Sequence, residues 1–383
     1  MITKFTKNKI HGKIKEMLQT NFNKMCQTTE EDENMSFIKI LILNCLYKMN
    51  GERTIYSILH ILNGKKSSQT IQDIHIFQLT SLFQAFPVLT REKLDQVVYE
   101  LIQEDWLEKT GENHYLIKEC RKLELDKLLK ANPLSLHLKG WRYHSYTLPF
   151  WERLSLFVQV SSHLSEKSIR YMPVQRNLVT QLWLKDTLHT VSLERSEINH
   201  YLYQELVKCL EEEELNPSIL INRLTGIHRI GLTGEQVALE LNMDPDYYQL
   251  SFLAILHFMI EKILSNKEEY PLLSQLIKES KKPLTLTEST AKTFDFIQKG
   301  YSIDDIVVVR NLKQSTIEDH IIEILLNVPD YPIRNLVSNE NIIKIKACIQ
   351  QSSSKSLKVI KQQLSDVSYF EIRAVMAGYG DFS

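Results

Sequence analysis

Glycine and proline are scarce here, 11 and 10 in 383 residues, which argues against loop-rich β-sandwich and Rossmann architectures. Helices joined by short connections need little such punctuation. An excess of one charge is missing too, since 46 basic side chains against 47 acidic ones leave a formal net charge of −1. No global positive field draws this chain to nucleic acid, so any phosphate contact must come from local patches. Paired cysteines are absent. The five present (Cys26, Cys45, Cys120, Cys209 and Cys348) are odd in number and form no C-x-x-C motif. That pattern points to reduced thiols rather than disulfides or a zinc site. The apolar runs at 37–46 and 252–260 are too short to span a bilayer. The basic, polar N-terminus lacks the apolar core of a signal peptide. A cytoplasmic protein without membrane contact is expected.

What is present belongs to a folded chain: 43% hydrophobic and 24% charged residues, with length enough for two or three domains. Residues 1–35 carry Lys4, Lys7, Lys9, Lys13, Lys15 and Lys24 before the acidic run Glu30 to Glu33, a pattern for a solvated segment. A unit at 36–130 follows. An apolar helix at 37–48 leads to a second with Ile55, Ile58, Leu59 and Leu62, stopped by Gly64. After the polar loop Lys65-Lys66-Ser67-Ser68, a helix is expected near 76–83. Thr90 is a predicted N-cap, and behind it Leu94, Val97, Val98, Leu101 and Ile102 repeat at i, i+3, i+4, i+7, i+8. Trp106-Leu107-Glu108, a turn at 109–112 and Tyr115-Leu116-Ile117 predict a β-hairpin. Helices followed by a hairpin make a winged helix, whose last helix and wing usually face DNA.

Residues 131–282 read as a helical domain. Its aromatics Trp141, Tyr143, Tyr146, Phe150 and Trp151 fit base stacking or, at this density, a core. Thr233 and Gln236 fit a capping box, Ala238 allows close helix approach, and Asn242 suits a left-handed turn. The helix after Pro245 is apolar nearly all round, and therefore a buried one.

The last region, 283–383, is the most informative. One helix ends at Gly300, Ser302 and Asp305 form a capping-box start to a short helix, and Arg310-Asn311-Leu312-Lys313 makes a tight turn. The next helix turns Ile317, Ile321, Ile324 and Leu325 inward, leaving Thr316, Asp319, His320 and Glu323 on the opposite face. In a DNA reader that face enters the major groove. Gly300-Tyr-Ser-Ile-Asp-Asp-Ile306 with Arg310-Asn-Leu-Lys-Gln-Ser-Thr-Ile-Glu-Asp-His320-Ile321 resembles the helicase-associated helix-turn-helix domain at the C-terminus of RecQ-type DNA helicases. Leu357-Lys-Val-Ile-Lys361 and Ser368-Tyr-Phe-Glu-Ile-Arg373 resemble the tail of that domain, and residues 58–65 with the hairpin are similar to the winged helix of the same enzymes. A free-standing chain with both features resembles the bacterial YpbB family, whose resemblance implies association with a RecQ-type helicase. Gly64-Lys65-Lys66-Ser67 is no Walker A motif, and the cysteines that accompany the helicase winged helix are missing. The resemblance therefore implies an accessory part in DNA repair or recombination, not the motor.

Electrostatics qualify the DNA reading. Residues 289–328 hold four basic residues (Lys292, Lys299, Arg310, Lys313) against six acidic ones (Asp295, Asp304, Asp305, Glu318, Asp319, Glu323). Carboxylates repel phosphate, so Glu318, Asp319 and Glu323 are candidates for partner docking, whereas Arg310, Lys313, Thr316 and His320 are candidates for DNA. Residues 341–364 carry Lys344, Lys346, Lys355, Lys358 and Lys361 with no acid, a candidate phosphate stripe or a solvated helix face. Lys65, Lys66, Arg91, Lys93 and Lys109 are the candidates in the winged-helix unit. No metal-ligand cluster, H-E-x-x-H or G-x-S-x-G motif supports catalysis, and no metal or small-molecule cofactor is expected. The expected fold is mainly α, with an N-terminal winged helix, a central helical domain and a C-terminal helix-turn-helix domain. The expected function is sequence-tolerant DNA binding beside a helicase, with an operator-reading transcriptional regulator as the alternative.

Overall fold

Apolar side chains at helical spacing, introduced in eight cases by a capping hydroxyl or carboxylate, give seventeen helices and one two-stranded sheet among the described residues. The computed structural model describes residues 35–168, 170–211, 215–277, 286–328, 331–352 and 357–379. No helix among them is long and apolar enough to cross a membrane. The N-terminal lysines and the acidic run at 30–33 lie outside the described residues.

The first core gathers α1 (Phe37–Met49), α2 (Ile55–Leu62), α3 (Ser68–Ile76), α4 (Arg91–Gln103) and α5 (Lys122–Ala131) around the hairpin β1 (Leu107–Gly111) and β2 (His114–Ile117). Gly64 ends α2 with φ +73°, a conformation that costs glycine nothing. The helix expected near 76–83 starts earlier instead. The Ser67 hydroxyl accepts from the Thr70 amide at 3.2 Å, so the polar loop supplies the cap and α3 begins at Ser68. Thr90 caps α4 as its sequence predicts. In the hairpin Leu107 pairs with Ile117 and Lys109 with Tyr115. Its turn falls at Glu112 and Asn113 (φ +58°) rather than at 109–112, so Lys109 lies within the strand.

The second core is built from α6 (Gly140–Ser165), α7 (Leu178–Thr190), α8 (Ile198–Leu210), α9 (Ser218–Ile221), α10 (Gly234–Glu240) and α11 (Pro245–Ser265). Tyr143, Tyr146 and Phe150 are buried in it, Trp151 packs against it, and Trp141 is buried in the first core. The aromatic stretch is core, not a stacking surface. The capping box of Thr233 with Gln236 forms, and Asn242 takes φ +52°. The third core holds α12 (Glu288–Gln298), α13 (Ile303–Arg310), α14 (Gln314–Asn327), α15 (Asn339–Gln351), α16 (Leu357–Gln363) and α17 (Tyr369–Gly378).

Helices α6, α11 and α14 each reach two cores; Trp141 of α6 lies in the first, whereas Tyr143, Tyr146 and Phe150 lie in the second. Leu250 and Ala254 of α11 belong to the first core, whereas Tyr248, Phe252, Ile255, Leu256 and Met259 belong to the second. Asp244 fixes the start of α11. One oxygen accepts from the Asp246 and Tyr247 amides at 2.8 and 3.1 Å, and the other accepts from the Phe37 amide of α1 at 3.0 Å. Helix α14 joins the first core to the third. It packs against α12, α13 and α17 in its own unit and against α3 of the first. Ile76 and Leu326 contribute to both the first and third cores. Burying an isoleucine such as Ile322, 2% exposed, contributes about 1.5–3 kcal/mol, enough to hold α14 against its neighbours.

Candidate nucleic-acid interface

Helices α12, α13 and α14 form the helix-turn-helix. Asn311 (φ 49°, ψ 48°) closes α13 in the left-handed conformation that a short polar side chain tolerates, and the chain turns directly into α14. The predicted capping box is present: the Asp305 amide donates to the Ser302 hydroxyl at 3.2 Å, and the Ser302 amide to the Asp305 carboxylate at 3.1 Å. Gly300 takes φ +85° after α12. Leu312 packs on the core formed by Ile306, Ile317 and Ile321.

The sequence reading places Thr316, Asp319, His320 and Glu323 on a solvent face. The structure corrects that placement. His320 is 7% exposed and Glu323 is 5% exposed, because both point at α12. The Glu323 carboxylate accepts from the Thr287 amide, from the Thr287 hydroxyl at 3.0 Å and from the Thr290 hydroxyl at 2.6 Å. Burial pushes its pKa up, the three hydrogen bonds oppose that rise, and the nearby Lys66 ammonium opposes it further. Arg310 donates to the Thr293 hydroxyl and, at 2.8 Å, to the Ser289 carbonyl. The Thr293 hydroxyl also shares a hydrogen bond with His320 Nδ1 at 2.8 Å. Burial lowers the His320 pKa, and the Arg310 charge lowers it further. Arg310 is thus a clamp between helices, not a free phosphate ligand. Thr316 is half-buried.

The side of α14 that faces away from α12 is also covered. Asp319 Oδ1 lies 2.6 Å from Arg373 Nη2 on α17, and Arg373 Nε donates to Gln72 Oε1 on α3 at 3.0 Å. The Trp141 indole N–H donates to the Asn327 amide oxygen at 2.5 Å. Ile322 is buried in the third core, and Leu326 packs against both the first and the third. Only the first turn of α14, with Lys313, Gln314 and Ser315, is fully exposed. Of the three acidic candidates, Glu323 is buried and Asp319 is paired. Glu318, half-buried, accepts from the Gln314 amide at 2.9 Å. Neither Gln72 nor Arg373 is among the candidate site residues of the sequence. They lie 301 positions apart, and no spacing rule connects them.

The lysine stripe is likewise divided by its local contacts. Lys344 is ion-paired to Glu340 at 2.8 Å and Asp366 at 3.3 Å, and Lys346 sits 3.2 Å from the centroid of the Tyr379 ring. Lys361 donates to the carbonyls of Ser365 and Val367 at 2.8 and 2.6 Å, holding the chain beyond α16. Lys358 is exposed, and Lys355 lies outside the described residues. In the first unit Arg91 lies 4.1 Å above the Tyr56 ring and donates to its hydroxyl at 2.8 Å. Lys65 and Lys66 are exposed, as are Lys93 and Lys109. A polar crevice of about 180 Å³ opens beside Lys65, lined also by Thr54, Tyr56, His60, Ser67 and Gln69 among others. The Ile55 amide donates to Asn113 in the hairpin turn at 3.0 Å, which brings the hairpin to the edge of that crevice. Exposed cations therefore concentrate in the first unit rather than on the second helix of the helix-turn-helix.

Comparison with known proteins places this geometry. Residues 289–376 match the family described as "Helix-turn-helix domain", the stretch holding α12 to most of α17. The chain is also 32% identical over 347 residues to Protein YpbB of Bacillus subtilis (strain 168), an alignment covering 90% of this chain and 97% of that protein. The chain belongs to the YpbB family. The likeness to YpbB runs far beyond the helix-turn-helix region, so the first two cores are part of what this chain shares with its YpbB relative. No solved structure matches the chain.

Proposed function

We propose that this YpbB-family protein is a non-enzymatic, cytoplasmic accessory factor that binds DNA without strong sequence preference and works beside a RecQ-type helicase in DNA repair or recombination. The observation that carries this reading is the position of α14. A helix-turn-helix domain supports DNA binding, yet His320 and Glu323 of its second helix are turned into α12, Asp319 is paired with Arg373 of α17, and α3 packs against the same helix, so only its first turn is left exposed. Backbone contact by exposed lysines remains, and such contact is tolerant of sequence. Lys66, Lys93, Lys109, Lys313 and Lys358 make no side-chain hydrogen bond or close ion pair among the described residues, and Lys65 has only His60 at 3.4 Å. An operator-reading regulator needs an open recognition helix, which is why it is the weaker reading. The helicase partnership rests on the sequence resemblance of residues 300–321 and 357–373 to the helicase-associated domain.

The test is purification of the tagged protein from its own cells with nuclease treatment, read by mass spectrometry. Co-purification of a RecQ-type helicase after nuclease supports the accessory role. Retention of discrete DNA fragments, with no helicase, supports the regulator.

A further inference from the structure

We infer that residues 170–185, the loop before α7 and its first two turns, form a docking platform for an acidic, apolar segment of a partner protein. This surface lies in the second unit and does not depend on DNA binding or on the helicase reading.

The loop is held from below. Gln159 of α6, 3% exposed, donates to the Met172 carbonyl at 3.0 Å and accepts from the Val174 amide at 2.9 Å. Gln175 donates to the Ser155 hydroxyl at 2.8 Å, and Gln181 donates to the Gln175 carbonyl at 2.8 Å. Asn177 caps α7 by accepting from the Val179 amide at 3.0 Å. The ring of Tyr171 rests on His163, with centroids 4.7 Å apart. A buried glutamine that satisfies both polar groups of a loop fixes its backbone, so the side chains above are presented rather than left loose.

Those side chains are apolar. Met172 is 77% exposed, Leu178 65%, Val179 71% and Leu182 51%. Leu178, Val179 and Leu182 stand at i, i+1 and i+4 and share one face of α7, while Trp183, Leu184 and Thr187 bury the other. An amphipathic helix needs only one apolar face to pack, and α7 has two. Large apolar side chains grouped on a fixed surface mark an interaction site more often than chance exposure does.

Charge selects the occupant. Arg170, Arg176 and Lys185 surround the patch, are exposed, and have no ion pair among the described residues. Two carboxylates lie nearby. Glu152 accepts from Asn177 at 2.9 Å and Thr180 at 2.8 Å, whereas Asp186 is exposed. The rim is therefore net positive and complements an acidic segment. A second copy of this chain would bring the same cations face to face. Nucleic acid fits less well, because bases stack on aromatic rings, and here the most exposed apolar side chains are aliphatic while the one exposed aromatic, Tyr171, rests on His163.

The test uses labelled helical peptides with leucines at i, i+3, i+4 and i+7, flanked by glutamates in one and lysines in the other, read by fluorescence anisotropy against the full-length protein. The glutamate peptide is expected to bind and the lysine peptide not. Affinity for the glutamate peptide should fall about tenfold or more in L178S/L182S and in R170E/R176E, while R170K/R176K retains most of it. These positions are exposed, and circular dichroism confirms that each variant folds. The inference is overturned if both peptides bind alike or not at all, or if the variants leave peptide binding unchanged. It is also overturned if the same variants weaken a labelled single-stranded DNA instead, or dissociate a dimer of the protein.

Discussion

Arg373→Ala is the most informative single perturbation of the fold, because Arg373 ties α17, α14 and α3 together. Two bonds are lost at once: the 2.6 Å ion pair to Asp319 and the 3.0 Å hydrogen bond to Gln72. The Arg373 and Asp319 side chains are 18% and 31% exposed, so the pair is partly screened, and a charge-assisted bond of this kind is worth about 1.5–3 kcal/mol. Gln72 is 5% exposed and its amide nitrogen has no partner among the described residues, so losing Arg373 also leaves its oxygen unsatisfied. That adds about 1 kcal/mol. A total of about 2–4 kcal/mol, at about 1.4 kcal/mol per factor of ten, predicts that amides of α14 exchange with deuterium about thirtyfold to several hundredfold faster in the variant. Hydrogen exchange read by mass spectrometry on peptides covering residues 314–327 measures this directly, with peptides from α8 as an internal control. A double-mutant cycle with Gln72→Ala isolates the contact between units. Unchanged exchange in α14, or a coupling below about 0.3 kcal/mol, would refute the closed arrangement.

Three further outcomes are expected. His257 is held neutral by burial, with the charges of His144 and Lys139 adding to the effect, and its pKa is pushed down to about 3 from the ordinary 6.5. Because the folded value lies below the unfolded one, its contribution is complete above about pH 6.5 and is lost as pH falls toward 3, amounting to about 2 kcal/mol between pH 7 and pH 5. Urea midpoints at the two pH values should therefore differ less in His257→Gln than in the parent. In Gly140→Ala the new Cβ would sit 2.4 Å from the Phe83 carbonyl and 2.6 Å from that of Ser81, so the melting temperature should drop by several degrees, a cost of about 1–3 kcal/mol. Glu323→Ala strands the donors Thr287 and Thr290 and should destabilise the third unit by about 2–4 kcal/mol, whereas Glu323→Gln, which keeps an acceptor, should cost less when both are compared by denaturation.

Local chemistry made much of the fold legible. Thr90, Thr233, Ser302 and Gly300 do in the structure what their neighbours in sequence predict, because a cap or a left-handed glycine is settled within a few residues. The full apolar circumference of α11 announced a helix buried on all sides, and α11 joins two cores. For α14 the sequence carries no such signal. Its polar positions resembled a solvent face, but Asp319, His320 and Glu323 meet Arg373, Thr293 and Thr290, residues far away in sequence. A buried polar group that is satisfied by a distant partner looks identical, in a sequence, to an exposed one. The lysines at 344–361 illustrate the same limit, since basic spacing alone does not distinguish Lys358, which is exposed, from Lys361, which holds two carbonyls.

DNA binding by paired variants tests the central claim most directly. Labelled duplex and single-stranded DNA are titrated by fluorescence anisotropy at about 50 and about 200 mM salt with the parent protein, with K65A/K66A/K93A/K109A, and with Q314A/T316A on α14. The account predicts salt-sensitive binding by the parent, a large loss in the lysine variant with a salt dependence shallower by roughly one unit per phosphate contact removed, and little change in the α14 variant. Binding that survives the four lysine substitutions and disappears in the α14 variant would contradict it, because DNA would then be met by the exposed first turn of α14 and not by the lysines of the first unit.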